Sequence, residues 1–126
     1  MRVRAALLLV VLGSVIEPRA ALAQRPIESA NEILPGCRAL LAMSQGQSAG
    51  DELDQIRGGV CAGKISALLN VAPMLEPRLR FCKPQNVTVR QATELVVQRL
   101  EGRPEVWHLP FDALALGAFV NAWPCP

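Results

Sequence analysis

From Ile27 onward, apolar residues recur at steps of three and four, the spacing that keeps one face of a helix out of water. Ile27, Ala30, Leu34, Cys37 and Leu41 trace such a face and predict a first helix reaching Ser44. Pro35 and Gly36 interrupt the pattern, so its regular part is expected to begin at Pro35, a residue tolerated in a first turn. The polar, glycine-containing stretch from Gln45 to Gly50 reads as a turn. Asp51 is placed to cap a second helix carrying Ile56, Val60, Cys61, Ile65, Leu68 and Ala72, which Pro73 stops. Gly59, Gly63 and Ala67 recur every four residues along it. Glycine costs about 1 kcal/mol in a helix interior, so this stripe suggests a second backbone passing close to that flank.

The stretch from Pro73 to Pro84 contains three prolines, which argue for an irregular connection around Leu79 and Phe81. Asn86, Val87 and Thr88 match a glycosylation acceptor. Thr88 with Gln91 three positions later also makes a capping box, and the apolar-periodic run that follows at once favours the cap. The third helix turns Val89, Ala92, Val96 and Leu100 inward and leaves Arg90, Glu94, Gln98 and Glu101 as a polar stripe; Gly102 ends it. Pro110 opens a fourth helix running to about Trp123. Its stripe of Phe111, Leu114, Ala115, Ala118, Phe119, Ala122 and Trp123 is backed by Ala113, Leu116, Gly117 and Val120, so only Asp112 and Asn121 interrupt an apolar circumference. A helix apolar all round is either buried on every side or meets a second molecule. A small core has little protein left to cover its back, which makes Leu116 and Val120 candidates for a subunit interface as well as for ordinary core.

Residues 1–23 have the form of a secretory leader: Arg2 and Arg4, an apolar run from Ala5 to Ile16, and the small-x-small signature Ala21, Leu22, Ala23, with cleavage expected before Gln24. The run is well short of the roughly 20 residues a membrane-spanning helix needs. Three of the 13 basic residues and one of the 11 acidic residues lie in this leader, which leaves ten of each in the rest. A neutral mature chain has no electrostatic footprint for nucleic acid or an anionic membrane. One histidine, no tyrosine and no dense carboxylate cluster offer little for a catalytic centre.

Export gives the four cysteines their meaning, since an even number in a small domain bound for an oxidising compartment reads as two disulfides. Gaps of 24, 21 and 43 residues lack the clustered pairs that a metal site or a redox-active C-x-x-C would need, so no metal and no cofactor are expected. Hairpin geometry chooses the pairing. Cys37 and Cys61 stand 12 residues either side of Ala49, the centre of the first turn, and Cys82 and Cys125 are symmetric about Arg103 and Pro104. The expected fold is all-α: a small four-helix bundle of two helical hairpins over residues 24–126, with disulfides Cys37–Cys61 and Cys82–Cys125.

Cys61, Gly63 and Ile65; Phe81, Cys82 and Pro84; Val87 and Thr88 before Gln91; Pro104, Glu105 and His108; and Ala122, Trp123, Pro124 and Cys125, in that order and spacing, resemble the Rap/Tai family. These are small exported helical proteins described as immunity partners of type VI secretion amidase effectors. The resemblance runs from about Asn31 to Cys125. The chain departs in having Ala62 and Lys64 around Gly63, where many relatives carry an aromatic, and Trp123 where phenylalanine is common. The resemblance implies a periplasmic protein, often a homodimer, that blocks the active-site cleft of a cysteine-histidine peptidoglycan amidase and performs no chemistry itself. A periplasmic chaperone or stress protein, or a carrier of a small apolar ligand, are the alternative readings.

Other residues invite sharper readings. His108 is expected to cap or pack, because a neutral imidazole serves readily as a hydrogen-bond partner. Trp107 is a candidate interface anchor, a role in which tryptophan is enriched, whereas Trp123 continues the stripe of the fourth helix and belongs to the core. Arg78, Arg80 and Lys83 make a basic loop, read first as a solvated connection and second as a contact for an acidic patch.

Overall fold

Each of the first three helices starts where a side chain satisfies N–H groups that no helical carbonyl can reach. The computed structural model, which describes residues 28–48 and 50–126, places α1 at Ala30–Ser44, α2 at Glu52–Val71, α3 at Val89–Glu101 and α4 at Phe111–Ala122. The leader at residues 1–23 and the turn centre at Ala49 lie outside the described residues. Asp51 accepts from the Asp54 N–H at 2.9 Å to open α2. Thr88 and Gln91 form the predicted reciprocal box on α3, with the Gln91 backbone N–H on the Thr88 hydroxyl at 3.2 Å and the Thr88 backbone N–H on the Gln91 side-chain Oε1 at 2.9 Å.

α1 departs from expectation by starting five residues before Pro35 and running straight through it. A mid-helix proline removes one backbone bond and crowds the preceding turn, at a cost of about 3 kcal/mol. Tertiary contacts offset this. The segment ahead of α1 lies antiparallel to the one ahead of α4: Ser29 bridges Pro110, the Ala30 and Asn31 N–H groups donate to the Leu109 and Trp107 carbonyls at 3.0 and 2.9 Å, and the Phe111 N–H donates to Glu28 at 3.0 Å. The Glu32 carboxylate reaches back to the Ser29 N–H at 2.8 Å. The start of α1 is thus fixed by the far end of the sequence, which local spacing does not reveal.

α1 and α2 form one antiparallel hairpin, and α3 and α4 pack as the second. Close approach in the first depends on Gly36 and Gly58: a β-carbon on Gly36 would collide with the Arg57 backbone, and one on Gly58 would sit 2.8 Å from the Met43 methyl. Gly59 and Gly63, where the stripe suggested a passing backbone, face open space instead. Disulfides Cys37–Cys61 and Cys82–Cys125 close the two hairpins, with Cα–Cα distances of 5.2 and 4.9 Å. The core takes Leu34, Cys37, Cys61, Ile65, Val96, Phe111 and Phe119, all essentially inaccessible to solvent. Buried Thr93 satisfies its hydroxyl on the Val89 carbonyl at 2.8 Å. Phe81, from the proline-rich connection, is buried against Phe119 at 5.1 Å, and Trp123 stacks on Phe119 at 5.3 Å.

Candidate functional site

Among the described residues no group of three or more His, Cys, Asp and Glu side chains is arranged to hold a metal ion, and both cysteine pairs are oxidised. His108 is exposed on the turn before α4.

Trp107 is a junction. Its indole N–H donates to the Leu100 carbonyl at the end of α3 at 2.6 Å, and the Arg38 guanidinium from α1 lies 5.4 Å from its ring centroid. Arg38 is held there by Glu101 at 2.9 Å. One face of the indole is therefore already occupied, and the ring is part-buried. Leu116 and Val120 are also part-buried and pack against the core, while Ala113 beside them is exposed and Gly117 leaves open space where a β-carbon would stand. Trp107 precedes α4 and Val120 stands nine residues into it, about 14 Å of helical rise further on, so the three candidates do not converge on one pocket.

The more exposed apolar surface is on α2. Leu53, Ile56, Val60 and Val71, with Met74 in the 3₁₀ turn Ala72–Met74 that follows, are between 38% and 84% exposed, and Gly63 and Ala67 lie open among them. Ile56 and Val60 belong to the apolar set carried by this helix, yet they do not join its buried side. The disulfide explains why. Cys61 must face α1, and at about 100° per residue Ile56 then lies about 140° away from it and Val60 about 100° away. Gly58, Cys61, Ile65 and Leu69 make the buried side instead. The signal that could have found this face is the coincidence of two apolar arcs on one helix, one of them rich in glycine.

In the basic loop, Arg80 is committed to the Leu75 carbonyl through two donors at 3.1 and 2.9 Å, while Arg78 and Lys83 are exposed. Beside it lies an open groove of about 420 Å³ with an apolar floor of Leu69, Ala72, Pro73 and Phe81.

Lys64 joins three segments, meeting Glu28 at 3.0 Å and Asp112, in the first turn of α4, at 3.2 Å. Partial burial works against its charge, and the hydrogen bonds to Glu28 and Asp112 outweigh that, so its pKa is raised above the ordinary 10.5. A raised lysine contributes stability that is complete below the unfolded-state value and lost as the pH climbs through the folded one. Both acids are nearly half exposed, which limits the contribution to about 1 kcal/mol. Lys64→Met should therefore lower the stability seen in urea melts at pH 8 by about 1 kcal/mol, and the gap should close as the pH passes the lysine range. A gap that stays constant into strong alkali would show that Lys64 acts through its aliphatic stem.

Against models of protein families, the chain matches that of the Rap1a immunity proteins over residues 29–125. The chain belongs to the Rap1a immunity protein family. Comparison with curated proteins and with solved structures returned no match. Membership assigns an immunity role against a toxic effector and points to binding rather than catalysis. The matched span opens at Ser29, which starts the strip paired with residues 107–111, and closes at Cys125 of the second disulfide. The Rap1a match thus takes in all four helices and both crosslinks. Among the described residues no helix of this Rap1a protein is long and apolar enough to cross a membrane.

Proposed function

We propose that this Rap1a immunity protein is exported through cleavage of residues 1–23 and neutralises a type VI secretion peptidoglycan amidase in the periplasm, as a homodimer and without chemistry of its own. The observation that carries the reading is the family match over residues 29–125, joined to a leader-like amino terminus and two disulfides that suit an oxidising compartment. The amidase is the class of effector that the Rap/Tai resemblance implies. Physically, a doubly crosslinked scaffold loses little conformational freedom on docking, so more of the contact energy appears as affinity. Leu116 and Val120 are proposed as part of the subunit interface of the homodimer, and Trp107 as an interface anchor.

The test is affinity capture from periplasm under toxin-producing conditions, followed by peptidoglycan hydrolysis assays on whatever is retained. One stoichiometric cysteine-histidine amidase, silenced by an equimolar amount of the mature chain, is the expected result. A broad set of clients would replace this reading with that of a chaperone, and co-purified lipid with that of a carrier. A retained amidase that keeps full activity would end the inhibitor reading.

A further inference from the structure

We infer that the groove beside the Pro73–Pro84 connection is a docking site for the effector, and that it takes an effector segment in which an apolar side chain is flanked by carboxylates. This rests on the inhibitor reading and names the face that would carry it; Leu116 and Val120 stay with the proposed homodimer.

Charge singles out this groove. The described residues include nine Lys and Arg side chains. Five are tied to acids within the chain: Arg38 to Glu101, Arg57 to Asp54, Lys64 to Glu28 and Asp112, Arg90 to Glu94, and Arg103 to Glu105. Of the four with no ion pair among the described residues, Arg99 stands apart on α3, whereas Arg78, Arg80 and Lys83 share this one connection. Arg80 and Lys83 line the groove itself. The single acid of the connection, Glu76, is not among the lining residues, so the segment keeps a surplus of positive charge facing a partner.

The site is also set in advance. Arg80 donates from Nε and Nη2 to the Leu75 carbonyl, which fixes the guanidinium plane and leaves the Nη1 side for an outside acceptor. A guanidinium held in this way meets a carboxylate with little further ordering. Leu69, Ala72 and Phe81 of the floor are buried in the fold, Phe81 against Phe119 and Trp123, and Cys82 beside them is crosslinked to Cys125. At about 420 Å³ the groove has the size of sites that enclose a compact apolar group. Floor and rim together choose the occupant. A wholly apolar segment would cover Arg80 and Lys83 with nothing to pair them, and a wholly acidic one would leave the floor without an apolar partner.

The first probe needs no effector: a blocked synthetic peptide with one phenylalanine between aspartates, titrated into the disulfide-intact mature chain and followed by backbone amide shifts. Shifts gathered at Leu69, Ala72 and Phe81 to Lys83 are expected, weakening as salt is raised. A lysine-flanked version of the peptide should bind far less. The double variant Arg78→Glu, Lys83→Glu should keep its circular dichroism, since both side chains are exposed, and should bind the aspartate peptide about tenfold more weakly while gaining affinity for the lysine peptide. Absent or scattered shifts, or equal binding of the two peptides, would overturn the site. The second arm uses the amidase that the parent chain retains from periplasm. Loss of its capture by the double variant is expected, and undiminished capture and silencing would overturn the docking face while the inhibitor reading stands. A parent chain that binds the aspartate peptide in the groove but retains no amidase would overturn the inhibitor reading and, with it, the effector as occupant.

Discussion

Replacing Cys37 and Cys61 together by alanine should lower the unfolding free energy by about 4 to 5 kcal/mol, and replacing Cys82 and Cys125 should lower it less. Loop length alone says the reverse. Closing a separation of 24 residues is worth roughly 3.5 kcal/mol in the chain-entropy account and closing 43 is worth roughly 4. Burial decides the order. Cys37 and Cys61 are wholly inaccessible, so alanines there also leave a void between α1 and α2 at the closest packing of the molecule. Cys82 is exposed, and its neighbourhood has other ties: its N–H donates to the Trp123 carbonyl at 2.8 Å, and Trp123 stacks on Phe119. The loss expected for the first pair is comparable to the whole stability of many small domains, which is about 5 to 15 kcal/mol. Urea midpoints of the two double variants at a common slope give the comparison directly. A larger loss from the Cys82–Cys125 pair would mean that the unfolded chain, more than the core, sets the value of these crosslinks.

The pairing itself was legible because it follows from symmetry about two turns, a property of residue numbers alone. Asp51 and the Thr88–Gln91 box were legible for a similar reason, since capping acts over three residues. The start of α1 was not, because Leu109 and Trp107 supply the acceptors that let the helix begin ahead of Pro35. The candidate surface divides along the same line. α4 announced itself by being apolar all round, yet packing draws Leu116 and Val120 partly into the core. On α2 the periodicity offered two apolar arcs with nothing local to rank them, and the Cys61 bond chose between them, leaving Ile56 and Val60 outside. Lys64 shows the same dependence on distant sequence: its partners Glu28 and Asp112 lie in segments that only the folded chain brings together.

Phe119→Ala should cost about 3 to 5 kcal/mol, the largest loss expected from any single truncation in the α3–α4 half. Phe119 is wholly buried and belongs to a triangle of aromatic rings, 5.1 Å from Phe81 and 5.3 Å from Trp123, which are themselves 6.2 Å apart; it stacks on Trp123 with only 12° between planes. Removing it takes away the transfer energy of a full ring and its contacts with the other two rings. It also loosens a joint. Phe81 comes from the irregular connection and Trp123 from the residue that ends α4, so Phe119 adds a packed ring to the Cys82 N–H bond on the Trp123 carbonyl and the direct Phe81–Trp123 contact that hold the two ends of the second disulfide together. The variant should therefore show a red-shifted contribution from Trp123 to the fluorescence before global unfolding, while Trp107, fixed by Leu100 and Arg38 at the other end of α4, keeps its emission. Measuring the spectrum in a Trp107→Phe background isolates the Trp123 signal. A Trp123 that stays shielded in Phe119→Ala would show that the Cys82–Cys125 crosslink alone positions the carboxyl-terminal segment, and the expected loss would then fall toward the low end of the range.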